Sequence, residues 1–403
     1  MIIGIIREGK VPPDSRVPLS PEQCQQIQEN HPDVTIKVEP SPGRCFPDSA
    51  YEAAGIQLTT DLSDCDLLMG VKEVPIDQLI PNKTYCFFSH TIKAQAYNRK
   101  LLLAIMEKNI RLIDYEVLTD DKGKRLIAFG RFAGMVGAHN ALYTYGKRSR
   151  LFELKRMKDM YDYAEAQAAY KQYKWPNIKI VLTGTGRVGK GAAEVLRDMG
   201  IREVTPEAFL KEEFDEAVFT QLRVPYYIKS KDGQPFETKD YYSSPEDFVS
   251  NFKPFTEISD IMINGIFWDN KAPAFFTKEE MKEETFKIEV IADVTCDIAP
   301  ISSIPSTLYA STIADPVFGY DPEKEEAVAP YQEEGIDMMT IDNLPNELPR
   351  DASRAFGEQF ISHILPEFQK VQSDLLDRAT IAVDGQLGQH FGYLEDYVAG
   401  KLV

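Results

Sequence analysis

The chain has 403 residues, of which 27% are charged and 43% hydrophobic, and its formal net charge at pH 7 is −18. One hydrophobic core rarely grows to this length, so we expect two domains. The negative charge disfavours nucleic acid and anionic lipid as partners, and no apolar run of about 18 residues predicts a membrane span. The start, MIIGIIREGK, is typical of a strand rather than a signal peptide, which predicts a cytoplasmic protein.

Cysteine usage predicts neither a disulfide framework nor a metal centre. The five cysteines are scattered and lack C-x-x-C spacing, so we expect small buried side chains and no metal cofactor. They are Cys24, Cys45, Cys65, Cys86 and Cys296.

The first part of the chain alternates strand and helix patterns. Ser20 to Gln23 has the pattern of a capping box with Pro21 at the first helical position, and a second helix is predicted near 95–108. This alternation predicts a parallel, doubly wound sheet. The apolar runs predicted as its strands are IIGIIRE, VTIKVE, DLLMGVK, YCFFSH and RLIDYE.

Residues 132–174 are predicted as long helical material that forms a hinge between domains. A second unit follows to about 340, with strands in MINGIF and KIEVIADVT and an insertion around 218–255. The stretch from Leu348 has helical spacing and is expected to return to the first domain. The predicted domains are therefore 1–130 plus about 346–403, and 131–345.

The segment NIKIVLTGTGRVGKGAA, residues 178–194, is the most informative in the chain. An apolar run meets a G-x-G-x-x-G pattern and then a helical pattern, which predicts a strand, a tight turn and a helix N-terminus. The three glycines would allow the turn, the approach of a pyrophosphate and close packing of the helix. An accidental glycine turn is the alternative. The predicted dinucleotide contacts are Gly184, Gly186, Arg187, Val188 and Gly189.

Six motifs follow one another in order across both domains: FFSHTIKAQ, RLIDYE, AFGRFAG, VLTGTGRVGKGA, INGIFW and TIDNLPNELPRDAS. Together they resemble the lysine-ketoglutarate reductase family. The chain is also similar to the shorter lysine-forming saccharopine dehydrogenases and, more distantly, to alanine dehydrogenase. The resemblance implies an α/β protein with two Rossmann-like, doubly wound parallel-sheet domains and an interdomain active-site cleft.

The chemistry that this resemblance implies is reductive condensation of two small molecules. The ε-amine of lysine and the ketone of 2-oxoglutarate form an imine, which a nicotinamide reduces to saccharopine, and the reverse reaction releases lysine. Such a reaction needs a general acid and base, cations for several carboxylates and a dry site for hydride transfer.

Lys72 and His90 are the residues that the resemblance implies as the acid–base pair. Each follows a predicted apolar strand, and ligand sites in parallel sheets gather at the carboxyl ends of strands. Lysine is a poor base at neutral pH unless burial or nearby cations lower its pKa, and Arg16 and Lys93 could supply that charge. A solvated lysine and a packed histidine are the alternatives.

The other substrate contacts are expected from charged residues near the same strand ends. Arg16 resembles an arginine that holds a substrate carboxylate, with a surface pair to Asp14 as the alternative. Glu116 is expected to pair with the catalytic lysine or with the substrate ammonium group, unless it is an ordinary loop residue. The remaining predicted substrate contacts are Lys93, Lys124 and Arg125.

The choice between NAD(H) and NADP(H) depends on the strand predicted to follow the glycine helix. An acid that grips the ribose is expected about 20 residues after the glycines, in the region 202–207. Glu207 is a predicted cofactor contact, although after Thr205 and Pro206 it also fits a helix start. Arg187 or Arg202 could meet a 2′-phosphate, and the reductase branch typically uses NADPH. We therefore favour NADP(H) slightly over NAD(H).

Four further residues follow predicted strands of the second domain and are expected on the nicotinamide side. Buried polar structure is the alternative explanation for each. They are Asn264, Asp293, Asp342 and Leu344.

The leading hypothesis is a monofunctional saccharopine dehydrogenase that acts on lysine, 2-oxoglutarate and saccharopine as a monomer or homodimer. An alanine dehydrogenase-like or opine-type amino acid dehydrogenase is the first alternative, because the Lys72 and His90 pair would serve it too. A non-catalytic, dinucleotide-binding regulatory protein is the second.

Overall fold

A computed structural model describes residues 1–401 and contains two eight-stranded sheets and one two-stranded sheet. The strands are β1 (Ile2–Ile5), β2 (Thr35–Val38), β3 (Gln57–Leu58), β4 (Leu67–Met69), β5 (Thr84–Phe87), β6 (Arg111–Asp114), β7 (Lys179–Thr183), β8 (Arg202–Glu203), β9 (Val218–Leu222), β10 (Ile228–Ser230), β11 (Phe248–Ser250), β12 (Ile261–Asn264), β13 (Val290–Asp293), β14 (Val317–Asp321), β15 (Glu326–Val328), β16 (Ile336–Met339), β17 (Thr380–Val383) and β18 (Gln386–Leu387).

The α-helices connect these strands and vary from one turn to twenty residues. They are α1 (Pro21–Asn30), α2 (Asp48–Ala53), α3 (Arg99–Glu107), α4 (Gly130–Ser149), α5 (Tyr163–Tyr170), α6 (Arg187–Asp198), α7 (Pro206–Lys211), α8 (Val224–Tyr227), α9 (Thr238–Ser243), α10 (Lys253–Thr256), α11 (Pro349–Gln359), α12 (Leu365–Phe368), α13 (Asp374–Ala379) and α14 (Glu395–Val398). Helix α11 continues into α12 through a π-helical turn at Phe360–Ile364.

The chain divides into two compact units. The first unit contains residues 1–129 and the chain from Pro349 onward, and the second contains Gly130–Leu348. No helix within residues 1–401 combines the length and the apolar character needed to cross a membrane.

The sheet of the first unit has the order β3-β2-β1-β4-β5-β6-β17-β18. The six strands from the N-terminal part are parallel, whereas β17 pairs antiparallel with β6, and β18 pairs antiparallel with β17. The chain reverses its direction of winding between β1 and β4, and ligands bind at such a switch point beyond the carboxyl ends of the strands. The predicted capping box of α1 is confirmed, since the Gln23 amide donates to Ser20 Oγ and the Ser20 amide donates to Gln23 Oε1.

The sheet of the second unit has the order β15-β14-β16-β13-β12-β7-β9-β8. Strands β8, β9, β7, β12, β13 and β16 are parallel, β14 pairs antiparallel with β16, and the edge strand β15 pairs antiparallel with β14. The predicted fold class, with two doubly wound and largely parallel sheets, is confirmed.

The strand beside the glycine strand β7 is not the one that follows the glycine helix in sequence. The region 202–207, in which the acid that grips the ribose is expected, begins with β8, but β8 pairs with β9, and it is β9 that pairs with β7. The stretch 218–255, expected as an insertion, therefore begins with a strand of the sheet that lies between β7 and β8. Strand β9 is hard to recognise from the sequence because Thr220 and Gln221 are polar and interrupt its apolar run.

Helix α4 packs closely on α6 within the second unit. A Cβ atom on Gly134 would lie 1.8 Å from the Val188 carbonyl oxygen, and one on Gly191 would lie 2.0 Å from the Arg131 carbonyl oxygen. Only glycine permits this approach of two backbones. The contact fixes the N-terminal turn of α6, which follows the glycine loop.

Candidate active site

Three polar residues of the first unit follow neighbouring strands at the same offset. Glu8, Lys72 and His90 each lie three residues beyond the last residue of β1, β4 and β5, respectively. The register pairs Ile5 with Met69 and Met69 with Cys86, so the three parallel strands end at one edge of the sheet. The structure therefore brings the predicted pair, Lys72 and His90, to adjacent loops.

Glu73 joins these two loops through the histidine ring. Nδ1 of His90 lies 2.5 Å from Oε1 of Glu73, and Nζ of Lys10 lies 3.2 Å from Oε2. Burial raises the pKa of Glu73, but the hydrogen bond and charge of His90, together with Lys10, outweigh burial and lower it to about 2. A carboxylate held on Nδ1 fixes the orientation of the ring and leaves Nε2 for another partner.

Glu8 fixes the backbone from which the Lys72 side chain projects. Its carboxylate accepts hydrogen bonds from the amides of Val71 at 2.5 Å and Lys72 at 2.9 Å. Burial raises the pKa of Glu8 to about 7, although these two hydrogen bonds act in the opposite direction. Glu8 is absent from the residues predicted from the sequence, yet its position after β1 matches that of Lys72 after β4.

The Lys72 ammonium group has no carboxylate within ion-pair distance among residues 1–401. Burial and the positive charges of Arg16 and Lys10 lower its pKa, and the negative charges of Asp14 and Glu73 oppose this effect. Loss of the proton is therefore easier for Lys72 than for a solvated lysine, as a lysine that acts as a base requires.

Arg16 forms a buried pair with Asp14. Its Nε and Nη2 donate to the two carboxylate oxygens at 3.0 Å and 2.6 Å, and the guanidinium lies 4.3 Å from the Phe129 ring centroid. The alternative weighed from the sequence, a pair with Asp14, is present, but only 3% of Arg16 is exposed, so the pair is not a surface one. Its contact with a substrate carboxylate stays a prediction.

Two of the predicted substrate residues bind each other. Nη2 of Arg125 donates to Oε1 of Glu116 at 2.9 Å, and no ion pair within residues 1–401 links Glu116 to Lys72. Glu116 is therefore paired with Arg125 in this structure, and its contact with the substrate ammonium group stays a prediction beside the alternative of an ordinary loop residue. Lys93 and Lys124 are exposed, and Lys124 lies in a turn whose amides donate to Asp120.

Asp114, at the end of β6, holds the loop that carries His90. It is fully buried, accepts hydrogen bonds from the Ser89 amide at 2.8 Å and the Ser89 hydroxyl at 2.5 Å, and accepts another from the Glu116 amide at 2.7 Å. Burial raises its pKa, and these hydrogen bonds oppose the rise. No sequence pattern identified this positioning role.

The glycine turn of the second unit leaves space at its middle glycine only. A Cβ on Gly184, whose φ is +95°, would lie 2.5 Å from the Gly265 carbonyl oxygen, and one on Gly189 would lie 2.0 Å from the Gly184 carbonyl oxygen. A Cβ on Gly186 would meet nothing within 4 Å. Gly186 precedes α6, whose first residues, Arg187 and Val188, are exposed and partly exposed, respectively. This open cradle at a helix N-terminus fits a pyrophosphate.

Asn264 and Asp293 form a buried network under this turn. Asn264 accepts a hydrogen bond from Thr183 at 2.8 Å and donates to Asp293 at 3.0 Å, while Thr307 donates to the other Asp293 oxygen at 2.6 Å. Both side chains are fully buried, and burial raises the pKa of Asp293. Their position accords with the alternative of buried polar structure, and direct contact with a nicotinamide stays a prediction.

The remaining predicted cofactor contacts differ in exposure. Asp342 is exposed after β16, whereas Leu344 is 2% exposed. Glu207, at the start of α7, accepts a hydrogen bond from the Tyr226 hydroxyl at 3.1 Å. Its pKa is lowered by the amide at the helix start and by that hydroxyl.

The placement of Arg202 contradicts its predicted contact with a 2′-phosphate. Arg202 aligns with Val218, and Val218 aligns with Lys179, so it lies at the amino edge of the sheet, opposite to the glycine turn. Its guanidinium also pairs with Glu216 at 2.7 Å.

Within residues 1–401, no group of three or more His, Cys, Asp or Glu residues could hold a metal ion.

Comparison with known proteins relates both units to dehydrogenases. Residues 4–136 match the family model described as alanine dehydrogenase/PNT, N-terminal domain. The mitochondrial alpha-aminoadipic semialdehyde synthase of Rattus norvegicus is 30% identical over 90% of this chain and 43% of its own length. The chain thus spans less than half the length of the semialdehyde synthases that it matches.

Two further comparisons cover whole chains. A saccharopine dehydrogenase (NAD(+), L-lysine-forming) of Emericella nidulans is 28% identical over 89% of this chain and 90% of its own length. An L-alanine dehydrogenase structure has a TM-score of 0.65 with 16% identity over 100% of both chains, which shows a shared fold.

We expect Gly186→Val to abolish dinucleotide binding and leave the fold intact. The valine side chain would fill the open cradle, and at φ −75° it would meet neither backbone strain nor a neighbouring atom. Calorimetric titration with NADPH and NADH measures the loss, and thermal unfolding followed by circular dichroism checks the fold. Gly43→Val, at an exposed loop of the first unit with nothing within 4 Å, is the matched control. A folded Gly186→Val protein with unchanged affinity would move the dinucleotide elsewhere.

Proposed function

We propose that the chain is a member of the family of saccharopine dehydrogenases and lysine-ketoglutarate reductases, within the alanine dehydrogenase-like superfamily, and that it joins lysine and 2-oxoglutarate reductively to form saccharopine. The observation that carries the proposal is the juxtaposition of Lys72 and His90 on adjacent strand loops, tied by Glu73. The second unit would bind the nicotinamide dinucleotide at the glycine turn.

Lys72 is the proton acceptor in this proposal. The ε-ammonium group of the substrate must lose a proton before its nitrogen can attack the ketone carbon, and a neutral Lys72 amine would accept that proton. Burial and the charges of Arg16 and Lys10 favour the neutral amine, because both make the protonated form less stable. The Glu8 carboxylate would fix the Lys72 backbone through the Lys72 amide and so limit the directions in which this amine can point.

His90 is the proton donor at the oxygen that leaves. Attack on the ketone gives a carbinolamine, whose hydroxyl group must gain a proton to depart as water and leave the imine. The Glu73 carboxylate on Nδ1 leaves Nε2 of His90 for the substrate, and Asp114 holds the loop through Ser89. The nicotinamide, when bound, supplies the hydride that reduces the imine carbon.

The carboxylates of the substrates require cations near this pair. Arg16, Lys93, Lys124 and Arg125 are the proposed partners, with Arg16 the best fixed because Asp14 and Phe129 hold its guanidinium plane. Glu116 would take the α-ammonium group of lysine. The cytoplasmic location and the monomeric or homodimeric state stay predictions.

Turnover with a panel of amines and keto acids tests the proposal. Lysine with 2-oxoglutarate should oxidise a reduced nicotinamide, whereas ornithine, alanine or ammonia, and pyruvate in place of 2-oxoglutarate, should react poorly. Absorbance at the nicotinamide band gives the rate, and mass spectrometry identifies saccharopine. Turnover of ammonia with pyruvate only would contradict the proposal in favour of an alanine dehydrogenase. Dinucleotide binding without turnover of any pair would favour a regulatory protein.

We expect Lys72→Met and His90→Gln each to lower kcat by about 10²- to 10⁴-fold, the usual contribution of an acid–base group. The dinucleotide affinity should stay unchanged, since the glycine turn lies in the other unit. If the pair acts as a unit, the double variant should be little slower than the slower single one. Steady-state kinetics and calorimetry measure these effects.

Two substitutions away from the site serve as matched controls for this pair. The controls are Lys83→Met and His31→Gln. Lys83 directly precedes β5, at the edge of the sheet opposite to Lys72 and His90, and His31 directly follows α1. Both controls should keep the parent kcat. A parent-like kcat and pH profile in Lys72→Met or His90→Gln would remove that residue from the mechanism.

A further inference from the structure

The strand order of the second unit assigns a role to an arginine that no motif singled out. We propose that Arg223 selects NADP(H) over NAD(H) by binding the 2′-phosphate of the adenosine ribose, an inference that rests on the proposed dinucleotide site at the glycine turn. Arg223 directly follows β9, the strand beside β7. In dinucleotide-binding sheets, the residues that meet the ribose 2′ position lie beyond the strand that neighbours the glycine strand.

Hydrogen bonds tie the end of β9 directly to the glycine turn. The Gly184 amide donates to the Leu222 carbonyl oxygen at 3.1 Å, and the Gln221 side-chain amide donates to the Gly184 carbonyl oxygen at 2.8 Å. Leu222 is also the register partner of Thr183, the last residue of β7. Arg223 is therefore the first residue past the strand end that contacts the turn, on the side where the adenosine half of the cofactor would lie.

The positive charge of Arg223 suits the 2′-phosphate of NADP(H) rather than the two ribose hydroxyl groups of NAD(H). Residues 218–227, VFTQLRVPYY, contain no Asp or Glu, so the strand end lacks the acid that grips the ribose in NAD-binding proteins. The Arg223 side chain is exposed, and within residues 1–401 its guanidinium forms no ion pair with a carboxylate. A guanidinium with unsatisfied donors matches the geometry of a phosphate.

Glu207 is the competing residue, because a carboxylate near the ribose would favour NAD(H). Glu207 follows β8, and β9 separates β8 from the glycine strand β7. Strand β8 is therefore farther from β7 than β9 is, by one inter-strand spacing of roughly 5 Å. Its carboxylate already accepts the Tyr226 hydroxyl. These observations favour Arg223 as the residue that meets the ribose 2′ position.

Binding of ligand pairs that differ only in the 2′-phosphate tests the proposal without any turnover. Calorimetry would compare NADPH with NADH, and 2′,5′-ADP with 5′-AMP, at one fixed ionic strength. Wild-type protein should prefer the phosphorylated member of each pair. Arg223→Gln should weaken NADPH and 2′,5′-ADP by about 10- to 100-fold, as expected for loss of a charge-assisted contact, and leave NADH and 5′-AMP unchanged.

Three variants make the outcome decisive. Arg223→Lys should keep part of the preference because it keeps the charge, and Arg202→Gln, at the opposite edge of the sheet, should keep all of it. Glu207→Gln should leave NADH binding unchanged. Equal wild-type affinities for the paired ligands, a uniform loss of all four ligands in Arg223→Gln, or a selective loss of NADH in Glu207→Gln would overturn the proposal. Failure of lysine turnover with the phosphate preference intact would instead overturn the proposed reaction alone.

Discussion

A partly buried lysine without a carboxylate partner is the constraint on which the first unit depends. Burying an ammonium group costs free energy, and the nearby charges of Arg16 and Lys10 increase that cost. A single chain that carries a net charge of −18 has many carboxylates available, yet none pairs with Lys72 within residues 1–401. The site keeps this amine unpaired, which favours the neutral form that proton acceptance requires.

The acids Glu8, Glu73 and Asp114, at this edge of the sheet, are bound to groups other than Lys72 Nζ. Glu8 caps the amides of Val71 and Lys72, Glu73 binds His90 and Lys10, and Asp114 binds Ser89. Each of these carboxylates holds a loop that follows a strand at the same edge of the sheet. The acidic side chains therefore restrict the motion of these loops, while the cations Arg16 and Lys10 provide the positive electrostatic potential at Lys72. In the second unit, the buried Asn264 and Asp293 network serves the turn in a comparable way.

The sequence predicted the fold class and the loops that carry Lys72 and His90, because long apolar runs and a capping box are local signals. It missed Glu8 and Asp114, whose importance comes from hydrogen bonds to loops 63 and 25 residues away in sequence, respectively. It also directed the search for the ribose-gripping acid to the region 202–207, whereas β9 is the strand beside β7. The segment REVTPE has a strand-like start and a strong helix start, whereas the strand VFTQL carries two polar residues, and only the register of the folded sheet distinguishes them.

The pKa of Lys72 is the measurement that tests this account most directly. Acetylation of Lys72 as a function of pH, followed by mass spectrometry of its peptide, should give a midpoint below the ordinary lysine value of about 10.4. Lys10→Met removes a positive charge and should raise the midpoint, while Glu73→Gln removes a negative charge and should lower it. A midpoint at the ordinary value that neither substitution moves would contradict the account.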